Sequence, residues 1–327
     1  TALLLKAEPF SVVGVYFHLH QEAKDLEKVR KICEDNNIEF HYVNLQEEFY
    51  KDVILPFADF YLKGLTPNIC SYCNAEFKIK KLLQYAENFS CNYIATGKKK
   101  KKKASLIGIA KDSWKDQSFM LYRLSEKQRE KLLLPLGQKM KDEVKNFVQQ
   151  CGYEEIANKR ESFGLCFTNG KHYSEFLLEK YPELKKLENG KVFNKNNQVI
   201  GTHKGYPFYT IGQYKGLNCE GKQYINKIIA EENAIFVGEK SECYFSTLRL
   251  NSLVFSQNIE NIKKDTPYLT KIRGKDEGNF ATLREISSNH SIIEFSQRVF
   301  APMQGQDVVV YDENNFILFG GRIEAFS

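Results

Sequence analysis

The order of apolar and polar positions divides the chain into two textures. In the first, β-branched and aromatic runs alternate with stretches whose apolar residues recur at helical spacing. Val12-Val13-Gly14-Val15-Tyr16-Phe17 predicts a buried strand. Ala23, Leu26, Val29 and Ile32, with Asp25, Glu27 and Lys28 between them, predict a helix. Ile38 to Leu45 predicts a second strand, Phe49 to Leu62 a helix kinked at Pro56, and Gly64 to Asn68 a turn. Phe77, Leu82, Leu83, Ala86 and Phe89 predict another amphipathic helix, and Tyr93 to Gly97 a strand ending in glycine. Such alternation builds a parallel sheet with helices on both faces. From about Gly190 the segments shorten and fill with Val, Ile, Tyr and Phe between Gly and Asn turns, an all-β texture. Boundaries fall near 185 and 246, giving expected domains 1–184, 185–245 and 246–327. No internal repeat is visible.

One junction conflicts with this pattern. Leu3-Leu4-Leu5 and Val12 to Phe17 both read as buried strands of the parallel sheet, yet only Lys6 to Ser11 separates them. A parallel pair needs a crossover of about a dozen residues. Either the two segments form an antiparallel hairpin, or a crossover helix is missing between them. The second reading is favoured, and it predicts a break or abnormal connection between Leu5 and Val12.

Composition narrows the class. Of 327 residues, 42% are apolar and 27% charged, which excludes disordered and low-complexity chains. No apolar run approaches the roughly 20 residues of a membrane span. The start, Thr1 to Lys6, lacks the features of a secretory signal, so a cytoplasmic location is expected. The net charge of +6 permits a nucleic-acid partner without demanding one. The run Lys98 to Lys103 supplies that whole excess, and is expected to form a mobile loop near the active site.

The eight cysteines are too irregularly spaced for a disulfide scaffold. Cys70-Ser71-Tyr72-Cys73, in the frame Thr66 to Asn74, opens a helix, a setting for dithiol chemistry or metal binding. Zinc would need two further ligands at suitable spacing, and none is found, so no metal site is expected. Gly164-Leu165-Cys166-Phe167 places another thiol in a small apolar turn; read alone, it is a buried cysteine. Lys115-Asp116-Gln117-Ser118 groups polar side chains that either meet a base edge or cap the next helix. Tyr209 to Leu217 is a glycine-punctuated loop carrying Gln213 and Lys215, either an RNA contact or an ordinary β-turn.

Taken together and in order, these stretches resemble the tRNA-specific 2-thiouridylases of the MnmA type, in the ATP-pyrophosphatase (PP-loop) superfamily. Ile94-Ala95-Thr96-Gly97, Pro135-Leu136-Gly137, Gly201-Thr202-His203-Lys204-Gly205 and Ala301 to Gln306 complete a collinear set over almost the whole chain. The resemblance implies an α/β chain: an N-terminal parallel-sheet ATP-pyrophosphatase-like domain, then two smaller β-rich domains, the last a β-barrel. It implies ATP-dependent 2-thiolation of the wobble uridine of tRNAs for Lys, Glu and Gln, with Mg2+ accompanying ATP.

By the same resemblance Cys166 carries a persulfide and Cys73 resolves it through a disulfide. Thr96, Gly97 and Leu5 line the nucleotide pocket. Gln117, Lys115 and Asp116 approach the target base, and Lys204, Gln213, Lys215 and Arg273 contact tRNA. A cysteine desulfurase or sulfur-relay protein would be the donor, and a monomer is the default. There are departures: the family's Ser-Gly-Gly-x-Asp-Ser phosphate loop is not found, Lys98 follows Thr96-Gly97 where His is usual, Phe163 stands for Gln, Tyr214 for Arg, and Cys70 occupies a position that is Asp or Cys. Two other readings remain open. One is a degenerate tRNA-binding relative without the ATP loop; the other is a thiol oxidoreductase or sulfur carrier.

Overall fold

The computed structural model describes residues 1–20, 23, 25–98, 101–103, 105–159 and 164–327, without the side chains of Lys101 and Lys102. Lys99, Lys100, Arg160, Glu161 and Phe163 therefore lie outside the described residues. The chain divides into two compact units, residues 1–56 with 70–162, and residues 57–69 with 163–327. Among the described residues no helix is long and apolar enough to cross a membrane.

In the first unit Val13–His18 pairs in parallel with Glu39–Asn44, and the helix Leu26–Asp35 makes the crossover. A second parallel pair joins Ile94–Ala95 to Leu132–Leu133. Leu3 to Leu5 is not a strand. Ala2–Lys6 is a helix, held by Leu5 N–H to Thr1 O (3.1 Å) and continued by Ala7 N–H to Leu3 O (3.2 Å). Ala, Leu and Lys are strong helix formers, and a three-residue apolar run carries no period to tell strand from helix. The expected break between Leu5 and Val12 is thereby corrected: helix and strand follow each other directly, with Glu8 N–H to Leu5 O and Phe10 N–H to Glu8 O bridging the turn. Ala2–Lys6 is helical and leads directly into the strand, so no crossover is missing between Leu5 and Val12.

Two π-helical turns interrupt the first unit's helices. Tyr50–Ile54 precedes Pro56, whose ring would collide with the carbonyl of Asp52 in a regular helix. Cys73–Ile79 follows Ile69–Tyr72 and runs into Lys80–Asn88. The end of the lysine run is not a loop: Lys101–Lys103 forms a short hairpin with Leu106–Gly108.

The second unit contains a five-stranded sheet in the order Tyr224–Ile229, Ala234–Gly238, Gly190–Phe193, Val199–His203, Asn218–Cys219. It also contains a closed six-stranded barrel built from Tyr244–Phe255, Pro267–Lys271, Asn279–Ile286, His290–Phe300, Asp307–Tyr311 and Ile317–Phe326. Leu248, Leu250, Ile293, Val308, Val310 and Phe319 fill it, each fully buried. Closure removes the exposed edges that so many short strands would leave. The segment Phe57 to Ile69 belongs to this unit: Tyr206 Oη donates to Leu62 O at 2.6 Å, Thr66 N–H donates to Gln304 O at 2.9 Å, and the Arg322 guanidinium lies 4.6 Å from the Phe60 ring centre.

Candidate functional site

The two singled-out thiols have opposite settings. Cys166 is exposed and starts the 3-10 turn Cys166–Thr168 in the second unit. Gly164, two residues earlier, has φ +94°, and a Cβ added there would meet nothing within 4 Å among the described residues; Asn169 closes the turn at φ +53°. Thr168 N–H and Oγ1 both bond to Leu165 O (3.2 and 3.0 Å). Phe167 points inward, 3% exposed, with ring centres 5.1 Å from both Phe57 and Phe176. The turn is thus anchored by one buried ring while its neighbouring sulfur stays outside. The reading of Cys166 as a buried cysteine is overturned; it is Phe167 that is buried.

Cys73, in the first unit, is 4% exposed at the start of the π-helical turn. Buried Ser71 and Asn74 flank it, and Asn74 Nδ2 donates to Met120 O at 2.9 Å. Cys70 is half-buried. None of the eight cysteines is in a disulfide.

At the end of Ile94–Ala95, Thr96 N–H extends the ladder to Leu133 O (3.4 Å). Among the described residues, the Thr96 and Thr1 hydroxyl oxygens are both buried without a hydrogen-bond partner. A Cβ on Gly97 would come 3.5 Å from Thr1 Oγ1, so Thr1 lies beside Gly97 at this strand end. Buried hydroxyls without protein partners suit a polar ligand, and the C-terminal end of a parallel strand is where open α/β sheets bind one. Leu5 lies on the Ala2–Lys6 helix, lining a hollow of about 380 Å³ with Leu133, Leu134 and Pro135. Among the described residues no three His, Cys, Asp or Glu gather to hold a metal ion.

The turn 112–118 is braced from within. Asp116 Oδ1 accepts from Ala110 N (2.9 Å) and Ser118 N (3.2 Å), and Oδ2 accepts from Ser118 Oγ (2.6 Å). Asp112 Oδ2 accepts from Lys141 N at 2.9 Å. Asp116 therefore shapes the turn, while Lys115 and Gln117 are half-exposed beside it.

In the second unit Gln213 also works within its own loop, accepting from Thr210 N (3.3 Å) and donating to Lys215 O (2.9 Å). Gly212 sits at φ +82° where a Cβ would be 2.4 Å from Ala301 Cβ, a close approach only glycine permits. Arg273 Nη2 donates to the carbonyls of Phe300 (3.2 Å) and Ala301, and burial lowers its pKa. Lys204 and Lys215 are exposed.

The tRNA methyl transferase HUP domain model matches residues 1–170, and the tRNA methyl transferase PRC-barrel domain model matches residues 174–239. A tRNA-specific 2-thiouridylase from Clostridium tetani is 33% identical over 99% of this chain and 93% of that protein. Relatives of the same description from Natranaerobius thermophilus and Sulfurimonas denitrificans are each 32% identical, covering 98% and 99% of this chain and 93% and 94% of their own lengths. The chain belongs to the tRNA-specific 2-thiouridylase family. The domain models carry the word methyl transferase, whereas the relatives matched along the whole length are described by thiouridylation. A thiol held outward on an anchored turn accords with the second description.

Against this family background, Gly97, next to Thr96, comes together with Thr1, and Lys115 with Gln117. Asp116, Gln213 and Arg273 turn inward to hold backbone. A ring ladder went unread in the sequence: Tyr214 to Tyr224 (5.3 Å between centres), Tyr224 to Phe300 (6.4 Å) and Phe300 to Tyr244 (5.2 Å). Lys222 lies 4.6 Å from the Tyr214 ring centre, Lys215 5.8 Å from it, and Lys240 5.4 Å from that of Phe300. Its members come from three segments, and the one signal available was Tyr214 standing for the usual Arg.

Proposed function

We propose that this chain is an ATP-dependent tRNA-uridine 2-sulfurtransferase acting on the wobble uridine of tRNAs for Lys, Glu and Gln. The observation that carries the reading is the exposed Cys166 thiol on its Phe167-anchored turn, in a chain aligned over 99% of its length with 2-thiouridylases. An exposed thiol can accept sulfur from a donor protein, and a fixed turn can present that sulfur to a base.

The uridine C2 carbonyl is a poor electrophile, and ATP, as a substrate, would turn its oxygen into a leaving group. The Thr96 and Thr1 hydroxyls and the open face of Gly97 are the proposed nucleotide contacts, with Leu5 nearby. Mg2+ would enter on the nucleotide's phosphates, as it usually does. The outer sulfur of a Cys166 persulfide then attacks C2, and the activated oxygen departs with its electron pair. Cys73 attacks Cys166 Sγ and breaks the S–S bond, and that electron pair goes to the new thiouridine sulfur. The resulting Cys73–Cys166 disulfide is reduced by an external thiol.

Lys115 and Gln117 are proposed near the target base, with Asp116 setting their turn. Lys204, Lys215 and the ring ladder are the proposed tRNA contacts of the β-rich pieces 185–245 and 246–327, combining cations with stacking surfaces. There Gln213 and Arg273 hold the shape. A cysteine desulfurase or relay protein as donor, a cytoplasmic location and a monomeric state complete the proposal. The degenerate-relative reading is not favoured, because the relatives aligned over 99% of the chain are described as 2-thiouridylases.

Cys166→Ser, assayed with tRNA, ATP and a cysteine desulfurase, should lower 2-thiouridine formation by about 10³-fold or more. Its tRNA-dependent ATP–pyrophosphate exchange should persist. Full thiolation by this variant would overturn the mechanism.

A further inference from the structure

The protein's single tryptophan is on its surface. Trp114 is 88% exposed, the most exposed of the large apolar side chains, and its ring meets no partner among the described residues. Isolated exposed apolar residues are ordinary, but a tryptophan offers some of the largest apolar area of any side chain, and folded chains usually bury it.

Its support is unusually firm. Trp114 is central in the 3-10 turn Ser113–Lys115. On one side Lys111 N–H bonds to Gly137 O (3.2 Å) and Asp112 accepts from Lys141 N. On the other, Asp116 N–H bonds to Ser113 O (3.3 Å), and the Asp116 carboxylate ties Ala110 to Ser118. The ring projects from a braced turn, so little backbone entropy remains to be lost when something stacks on it.

The charge beside it has one sign in excess. Asp112 and Lys115, which flank the Ser113–Trp114 pair, line a hollow of about 460 Å³ with Lys141, Lys145, Lys159 and Asp142. Asp112 spends one carboxylate oxygen on the Lys141 backbone, and Lys159 is paired with Asp25 at 2.6 Å. The lining carries four lysines, Lys115, Lys141, Lys145 and Lys159, against two carboxylates, Asp112 and Asp142. A rigid exposed ring next to a cationic hollow fits a polyanion that carries flat unpaired groups.

We infer that Trp114 is a stacking platform for an unpaired base of the substrate tRNA, with the lysine-lined hollow taking the adjoining phosphate. The inference rests on the tRNA reading above and adds a residue and a mode of contact to it. Aromatic stacking tolerates any base, so this contact positions the RNA and does not read its sequence.

Because Trp114 is the only indole, its emission reports the contact directly. The full-length protein is titrated with unmodified tRNA, with excitation at the red edge where RNA does not absorb. Binding is measured in parallel by filter retention. Stacking should quench the emission with the same midpoint as retention. A short single-stranded RNA should quench it too, and a blunt RNA duplex should not. Trp114→Ala should weaken tRNA binding by about 5- to 30-fold, and Trp114→Phe should recover most of that loss.

Retention of tRNA with unchanged emission, equal quenching by the duplex, or unweakened binding by Trp114→Ala would each overturn the inference while leaving the tRNA reading standing. Emission that ignores tRNA but shifts on adding a cysteine desulfurase would assign the ring to a protein partner and overturn it as well. Failure of the wild-type protein to retain any tRNA at low salt would overturn the functional reading, and this inference with it.

Discussion

Cys166 and Cys73 carry the same group in opposite surroundings. One is exposed at a turn whose backbone is fixed by a buried phenylalanine; the other is 4% exposed within a helix. The difference separates two requirements that a single thiol cannot meet together. Loading from a protein donor needs an open sulfur. Holding a thiol in reserve until transfer needs one that donors and oxidants do not reach. Burial of Cys73 meets the second requirement, and it implies that Cys73 acts only after a local rearrangement.

The strongest way to break this comparison is to remove the reserved thiol. Cys73→Ser should still accept a persulfide on Cys166, seen by mass spectrometry of the intact protein. It should form no more than about one 2-thiouridine per chain, because the step that cleaves the S–S bond between Cys166 and the thiolated base is gone. Steady multiple turnover by Cys73→Ser would remove the resolving role from this residue.

A smaller effect is expected from loosening the other thiol's anchor. Phe167→Ala empties a site bounded by Phe57 and Phe176 and should cost about 3–4 kcal/mol of stability in denaturant unfolding. Below the unfolding midpoint Cys166 should stay open to alkylation while thiolation falls, since the sulfur is available but no longer held. Unchanged thiolation in a folded Phe167→Ala protein would show that the turn's geometry is irrelevant to transfer.

The β-rich character of the chain beyond about Gly190 was legible because short strands of β-branched residues between Gly and Asn turns mark such a region, whereas the barrel was implied by the resemblance alone. Val308-Val309-Val310-Tyr311 is wholly buried, as such a run suggests. The start was misread because Leu3-Leu4-Leu5 is too short to display a period, and helix propensity decided it. At the site, the pairing of an inward Phe167 with an outward Cys166 hinges on one 3-10 turn, which a sequence does not specify. The inward turns of Asp116, Gln213 and Arg273 were hidden for a related reason: the same polar residue types brace loops and contact RNA. The lysines around Trp114 come from three separated segments, so only folding gathers them.

The smallest expected effect belongs to Cys70, and it sharpens the comparison most finely. Cys70 and Cys73 are three apart on one helical stretch, a spacing that places side chains on the same face. Cys70 is the more open of the two, so exposure alone would make it the better resolving thiol. Two arguments run against that. The resemblance to the 2-thiouridylases carries position 70 as either Asp or Cys, and a position that works as a carboxylate cannot be required as a thiol. Serine is also nearly isosteric, so Cys70→Ser at a half-buried site should change stability by less than about 1 kcal/mol. Persulfide loading and multiple-turnover 2-thiouridine formation should both stay within about threefold of the parent, well short of tenfold, which would be 1.4 kcal/mol. If Cys70→Ser instead stops after one turnover while Cys73→Ser does not, the resolving role passes to Cys70, and the burial of Cys73 becomes a packing feature of the π-helical turn.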